Sequence, residues 1–116
     1  MILSGLDSLS LSKSLIAPVA GILMSAVTAS TTAGATLASA SFADVILAAG
    51  ISGVWGAAMI NSGATVLDHL PHGSFFHASA GAVDMKLTER IKLIGYESLI
   101  GGILAIGTLI AYLLVR

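Results

Sequence analysis

Apolar residues run along this chain in long blocks, separated by short polar stretches of unequal character. Residues 1–13 (MILSGLDSLSLSK) are polar and serine-rich and read as a lead-in. The run Ser14–Ala29 predicts a helix, with Pro18 in its first turn, where a missing N–H costs little. Its end, Val27-Thr28-Ala29, also fits a signal-peptide cleavage pattern. Asp7, the weakly basic start and the apolar continuation favour a membrane helix instead. From Leu37 to Ile60 the chain is apolar again, as one long helix or a re-entrant hairpin, and Gly50, Gly53 and Gly56 are spaced for one close-packing face or a hairpin. Phe75–Val83 is too short to span a membrane alone. Asp84–Glu97 alternates Met85, Leu87, Ile91 and Ile94 with charged residues, as a cytoplasmic loop or an amphipathic surface helix; its basic residues are Lys86, Arg90 and Lys92. Ser98–Val115 is uncharged and predicts a spanning helix, with Tyr112 and Arg116 near one interface.

Composition turns this pattern into a statement about solvent. Of 116 residues, 56% are hydrophobic and 9% charged, with a mean hydropathy of +0.99. Soluble domains carry about 25% charged residues, so this chain cannot cover a globular surface with polar groups. Between Lys13 and Asp84 only Asp44 and Asp68 are fully charged, and a bilayer core needs about 20 apolar residues per helix. The reading is an all-α integral membrane protein with three to four hydrophobic helical elements, including a re-entrant hairpin or broken helix. A lead-in over 1–13 precedes a membrane domain over 14–116, placed multi-pass in the cell inner membrane with the lipid bilayer as its solvent. A net charge of −1 gives no reason to expect nucleic acid. The absence of cysteine excludes disulfides, thiolate metal sites and a cysteine nucleophile.

Polar residues inside the apolar blocks carry the candidate chemistry. Ser30-Thr31-Thr32-Ala33-Gly34-Ala35-Thr36 is a hydroxyl-rich patch. Its hydroxyls either bond back to helix carbonyls or mark a helix break that faces a cavity. Asp44 is too costly to face lipid at mid-depth, so it belongs at a helix end or in a proton or ion relay. Asn61–Ser74 combines turn formers, a carboxylate, two histidines and a proline between apolar runs. Three readings compete for it. A metal site has ligand types in Asp68, His69, His72 and His77, but Pro71 intervenes and helical His-x-x-x-His spacing is missing, so no metal or cofactor is expected. A plain polar loop is the second. The third is an unwound membrane helix lining a substrate cavity, as transporters use. Asn61, Ser62 and Thr65 suit the third by offering neutral hydrogen bonds to a carboxylate or sugar hydroxyl. Asp68 can take up a proton, and His72 is the type of side chain that changes charge at physiological pH.

The segment Leu67-Asp68-His69-Leu70-Pro71-His72, preceded by Ser62-Gly63, resembles the Leu-Asp-Thr-Leu-Pro-His signature late in gluconate-permease-type transporters of the ion transporter superfamily. The Thr28–Ala40 run is similar to the small-residue segment that precedes the signature, and Leu87-Thr88-Glu89 to the loop that follows it. The resemblance extends loosely over residues 15–115 and is specific at Asp-x-Leu-Pro-His. It implies symport of gluconate, or a related hydroxy or short-chain carboxylate, with a proton. The candidate substrate residues, from their types and placement, are Ser30, Thr31, Thr32, Asn61, Ser62 and Thr65; the candidate proton-coupling residues are Asp68, His72 and Asp44. Two positions depart from the signature, His69 in place of Thr and Gly73-Ser74 after His72. The similarity covers only the C-terminal quarter of such a permease, so a membrane-protein partner or a homo-oligomer is expected for activity. The competing expectations are a small membrane interaction protein and an inactive truncated permease. An enzymatic role is not expected, because an intramembrane metal-dependent enzyme would need a ligand set and nucleophile that the sequence lacks.

Overall fold

Two residues turn the first apolar block back on itself. Ala29 takes a left-handed conformation (φ 48°), and Ser30 is extended, with its hydroxyl accepting the Ala33 N–H at 3.2 Å. That hydroxyl satisfies a donor that the first turn of a helix leaves unpaired. The result in the computed structural model, which describes residues 13–115, is a tight hairpin of α1 (Ile16–Thr28) and α2 (Thr31–Ala48). Residues 1–12, with most of the expected lead-in, and Arg116 lie outside the described residues.

The second turn uses backbone chemistry instead. Gly50 (φ 87°) ends α2 in a Schellman motif, with Gly50 N–H donating to Leu47 and Ile51 N–H to Ile46. Ser52 then caps α3 (Gly53–Ala64) by accepting from Trp55 N–H at 3.3 Å. The apolar stretch Leu37–Ile60 is therefore not one helix; it folds as helix, turn and helix, holding most of α2 and most of α3, which pack together. Gly50 is spent on the turn and Gly53 faces open space. Of the expected glycine face, only Gly56 meets a neighbour, the Ile46 side chain.

After α3 the backbone stays non-helical from Thr65 to Gly73, then forms α4 (Ser74–Ala82) and α5 (Leu87–Val115). The charged stretch expected as a loop or separate surface helix is mostly the first three turns of α5, continuous with the uncharged run. Helix propensity favours this fusion, since Leu87–Glu97 contains strong helix formers and one glycine. One face of α5 points inward: Arg90, Gly101, Ala105 and Tyr112 are buried, and Ile94, Glu97 and Ser98 half-buried between them. Tyr112 sets its ring edge against Trp55 of α3, centroids 5.6 Å apart. All described regular elements are helices.

Small residues set the packing. A methyl on Gly63 would collide with the Pro18 carbonyl, and one on Gly21 with the Ile60 carbonyl, so α1 and α3 touch backbone to backbone. Such contacts are how helices associate where lipid removes the hydrophobic drive between them. The exterior agrees. Leu37, Val45 and Leu47 on α2 are exposed, as are Leu99, Ile103, Ile106 and Leu114 on α5. Both helices are long and apolar enough to cross a membrane, and little of either apolar stretch is buried in the protein. At 1.5 Å per residue the 29 residues of α5 reach about 43 Å, longer than the roughly 30 Å hydrocarbon core.

Arg90 ties α4 to the lower end of α5. Its guanidinium is 3% exposed, pairs with Glu97, donates to Ser79 Oγ at 2.9 Å and lies over the Phe76 ring at 5.1 Å. Of the three basic residues expected to mark a cytoplasmic loop, this one is internal, whereas Lys86 and Lys92 are exposed.

Two outcomes follow from this packing. Gly63→Ala should destabilise the detergent-solubilised protein by about 1–3 kcal/mol in reversible denaturation, the usual range for overpacking, whereas Gly107→Ala, with nothing near its added methyl, should cost nothing. Glu97→Ala should cost about 3–5 kcal/mol, because it strands a buried guanidinium; retention of wild-type stability would mean that Arg90 is not held as described.

Candidate functional site

The site is built where the non-helical stretch 65–73 meets the tip of the α1–α2 hairpin. Irregular backbone in a low-dielectric setting must find partners for its N–H and C=O groups, and side chains supply several of them. Ser98 Oγ donates to the Val66 carbonyl at 2.9 Å. His77 Nε2 donates to Pro71 O at 2.8 Å. His72 Nε2 reaches back to α1, donating to Ala26 O at 2.9 Å and Val27 O at 3.2 Å. Those two carbonyls belong to the last turn of α1, whose oxygens have no acceptor role left inside the helix. Gly73 completes the junction, because a side chain there would strike Ala29.

Asp68 occupies the centre. One carboxylate oxygen accepts the hydroxyl of Thr31, the first residue of α2, and the other faces His69 Nδ1 at 2.9 Å. His69 is 1% exposed, and its Nε2 lies 3.1 Å from Ser98 Oγ and 3.3 Å from Ile94 O. Asp68 and Phe75 line two cavities. One, of about 260 Å³, is walled by Ala29, Ser30, Thr31, Thr32 and Ser74 of the hairpin tip and α4. The other, of about 330 Å³, opens toward α5 along Thr65, His69, Glu97 and Gly101. A carboxylate thus stands between two small cavities, with hydroxyls on one side and an imidazole on the other.

The residues expected to bind substrate divide into three groups. Ser30, Thr31 and Thr32 line the hairpin-tip cavity together. Thr65 lines the second cavity while its hydroxyl donates to Ser62 O at 2.6 Å. Asn61 and Ser62 lie in the last turn of α3 and not in the break. Ser62 is buried with its hydroxyl on Met59 O at 3.2 Å, and Asn61 is exposed beside Ala35, Thr36 and Ala57 in a separate groove. The residues expected to couple protons are likewise dispersed. Asp68 and His72 are not in contact: Asp68 meets Thr31 and His69, while His72 caps α1. Asp44 is exposed, thirteen positions beyond Thr31 on α2, about 20 Å along the axis.

Ser98 and Glu97 were not singled out from the sequence, and His69 figures there only as a candidate metal ligand and a departure from the signature. His69 looks like a departure from a signature until the turn at Asp68 and His69 brings the neighbouring side chains together. Ser98 and Glu97 sit in a long helix where a lone polar residue reads as incidental. Their signal is positional: Ile94, Ser98 and Gly101 fall at i, i+4 and i+7, one face of a helix. Among the described residues, no three His, Asp or Glu side chains gather as a metal would require.

Comparison with known proteins gives one informative match. No family model matches the chain, and no solved structure matches it. Over 101 residues, 87% of the chain, it is 52% identical to a protein of Haemophilus influenzae described as an uncharacterized transporter. The chain spans 24% of that relative's length. Together with the apolar exterior of α2 and α5, this similarity identifies a membrane protein related to a transporter.

Proposed function

We propose that this chain forms part of a multi-pass carrier of the cell inner membrane that moves gluconate, or a related hydroxy or short-chain carboxylate, together with protons. The observation that carries the reading is the meeting of the hydroxyl-bearing hairpin tip with Asp68 on the unwound stretch. Thr31 and Thr32, with Ser30, offer neutral hydrogen bonds to a carboxylate or a sugar hydroxyl without a permanent ion pair that would slow release. Asp68 alone would repel an incoming anion. Proton uptake at the site removes that negative charge, so occupation by proton and by substrate favour each other. Similarity to a transporter supports carriage, and the Asp-x-Leu-Pro-His resemblance supports the substrate class.

The broken element is suited to the task. Helix ends aimed at a cavity present N–H groups to anions and carbonyls to cations. Here the cavity adjoins the starts of α2 and α4, both of which direct free N–H groups into their first turns. A complete transport cycle needs a second half to close the site from the opposite side. That half would come from further membrane protein, from another chain or another copy. An apolar groove along Ala43, Ile46, Gly56 and Ile60 is a surface on which a helix of such a partner could lie. The same groove, with the quarter-length match, also favours a second reading, in which the chain docks to a membrane partner without carrying substrate.

Proton-driven uptake of labelled gluconate into membrane vesicles separates the two. Uptake should require this chain, fall at least about tenfold with Asp68→Asn, corresponding to about 1.4 kcal/mol of lost coupling, and fall measurably with Thr31→Val. Asp44→Asn should leave uptake within about twofold, less than 0.5 kcal/mol on the same scale. Uptake indifferent to Asp68 in the presence of its membrane partners contradicts the carrier reading and leaves the docking reading standing.

A further inference from the structure

We infer that His69 is the residue that carries the proton at this site, and that the Ser98 hydroxyl reports its charge to the unwound backbone. The inference rests on the carrier reading only for its purpose; the chemistry is internal to the protein. Ser98 has one hydroxyl hydrogen, and it is given to the Val66 carbonyl. Ser98 Oγ can therefore only accept from His69 Nε2, as can the Ile94 carbonyl. Nε2 must bear a hydrogen. On the other side of the ring, Nδ1 lies 2.9 Å from a carboxylate oxygen of Asp68, whose second oxygen already accepts the Thr31 hydroxyl. A carboxylate acceptor at that distance calls for a hydrogen on Nδ1 as well. This set of partners is the set for an imidazolium beside a carboxylate, and the pair is neutral as a whole.

Loss of one proton forces a rearrangement whose form the same partners dictate. If Nε2–H were kept, the bare Nδ1 lone pair would face the Asp68 carboxylate. Keeping Nδ1–H instead preserves the contact with Asp68 and leaves a lone pair on Nε2, facing the Ile94 carbonyl and Ser98. Ser98 can satisfy that lone pair by rotating its hydroxyl hydrogen from Val66 O to Nε2. The Val66 carbonyl, one residue into the break, then loses its donor. Proton loss at His69 thus releases the start of the unwound stretch from α5, and leaves a net negative charge beside the hairpin-tip cavity. Proton uptake reverses both. Ser98 is the positioning residue and His69 the proton carrier.

The charged surroundings of His69 are few. From the break it faces Asp68. From α5 the titratable group at the same cavity is Glu97, which is engaged with Arg90. From the hairpin the contact to the pair is the Thr31 hydroxyl, and His72 is turned toward the last carbonyls of α1.

The test follows the hydrogens directly in the full chain, reconstituted in lipid nanodiscs with imidazole ¹⁵N and carbonyl ¹³C labels and no substrate. Spectra are recorded across the range in which histidine changes charge, about pH 5 to 8. His69 should be doubly protonated at the acid end and become the Nδ1–H tautomer on titration. The Val66 carbonyl resonance should move in step with it in the wild type and in Ser98→Thr, and should stay still in Ser98→Ala while His69 continues to titrate. A neutral His69 in the Nε2–H tautomer, an unchanging His69 across the range, or a Val66 response that survives Ser98→Ala overturns the inference. None of these readings involves carboxylate transport, so failure of the relay and failure of the carrier reading are told apart by this experiment and the uptake measurement.

Discussion

Everything in this molecule depends on how nine residues of non-helical backbone are held inside an apolar exterior. A helix satisfies its own N–H and C=O groups; in residues 65–73 local turns pair the N–H groups of Thr65, Val66 and Gly73, and lipid offers the remaining groups no partners. The solution is to lend side chains from the surrounding elements. Ser98 holds Val66, His77 holds Pro71, and His72 holds the last turn of α1 against the break. One serine and one imidazole thus pair carbonyls of this stretch, and a second imidazole ties it to α1. The hairpin tip, α4 and α5 are fixed where they are because each contributes to that satisfaction or receives from it.

That arrangement explains why chemistry collects here and not elsewhere. Polar side chains are expensive in a bilayer unless they have partners, so a break that needs polar partners is also the place where a carboxylate can be kept. Asp68 is tolerated because Thr31 and His69 occupy its oxygens. The glycine contacts at Gly21 and Gly63 bring α1 and α3 within backbone distance, and Gly73 brings the break onto the hairpin turn. Packing and chemistry are the same design: small residues bring backbones together, and the few polar groups in between are fully used.

Much of the architecture is legible in the sequence because lipid and helix geometry impose strong patterns. The apolar block after Lys13, the hydroxyl patch, the broken polar segment and the final helix all announce themselves by period and composition. Boundaries are less legible. Asn61–Ala64 looks like part of the break but continues α3, since turn formers such as Asn61 and Gly63 are also tolerated in a helix whose neighbours press close. Asp84–Glu97 looks separate from the last helix because its charge differs, yet helix hydrogen bonding is indifferent to that change. The site was legible in its residue types more than in its pairings. Asp68 and His72 share a short segment, but the turn at 68–69 gives Asp68 its neighbour His69 and leaves His72 to cap a helix. No spacing rule distinguishes those outcomes, because neither residue sits on a regular element.

We propose that the cavity between the hairpin tip and the broken stretch is open to water and takes a carboxylate. The native chain has no cysteine, so single cysteines placed at Thr32, Ser74 and Ile103 can be probed with a membrane-impermeant thiol reagent in vesicles of both orientations. Thr32→Cys and Ser74→Cys should react and be protected by gluconate, while Ile103→Cys on the apolar face of α5 should not react. Unreactive cysteines at the first two positions, or reactivity that no carboxylate alters, would contradict the account.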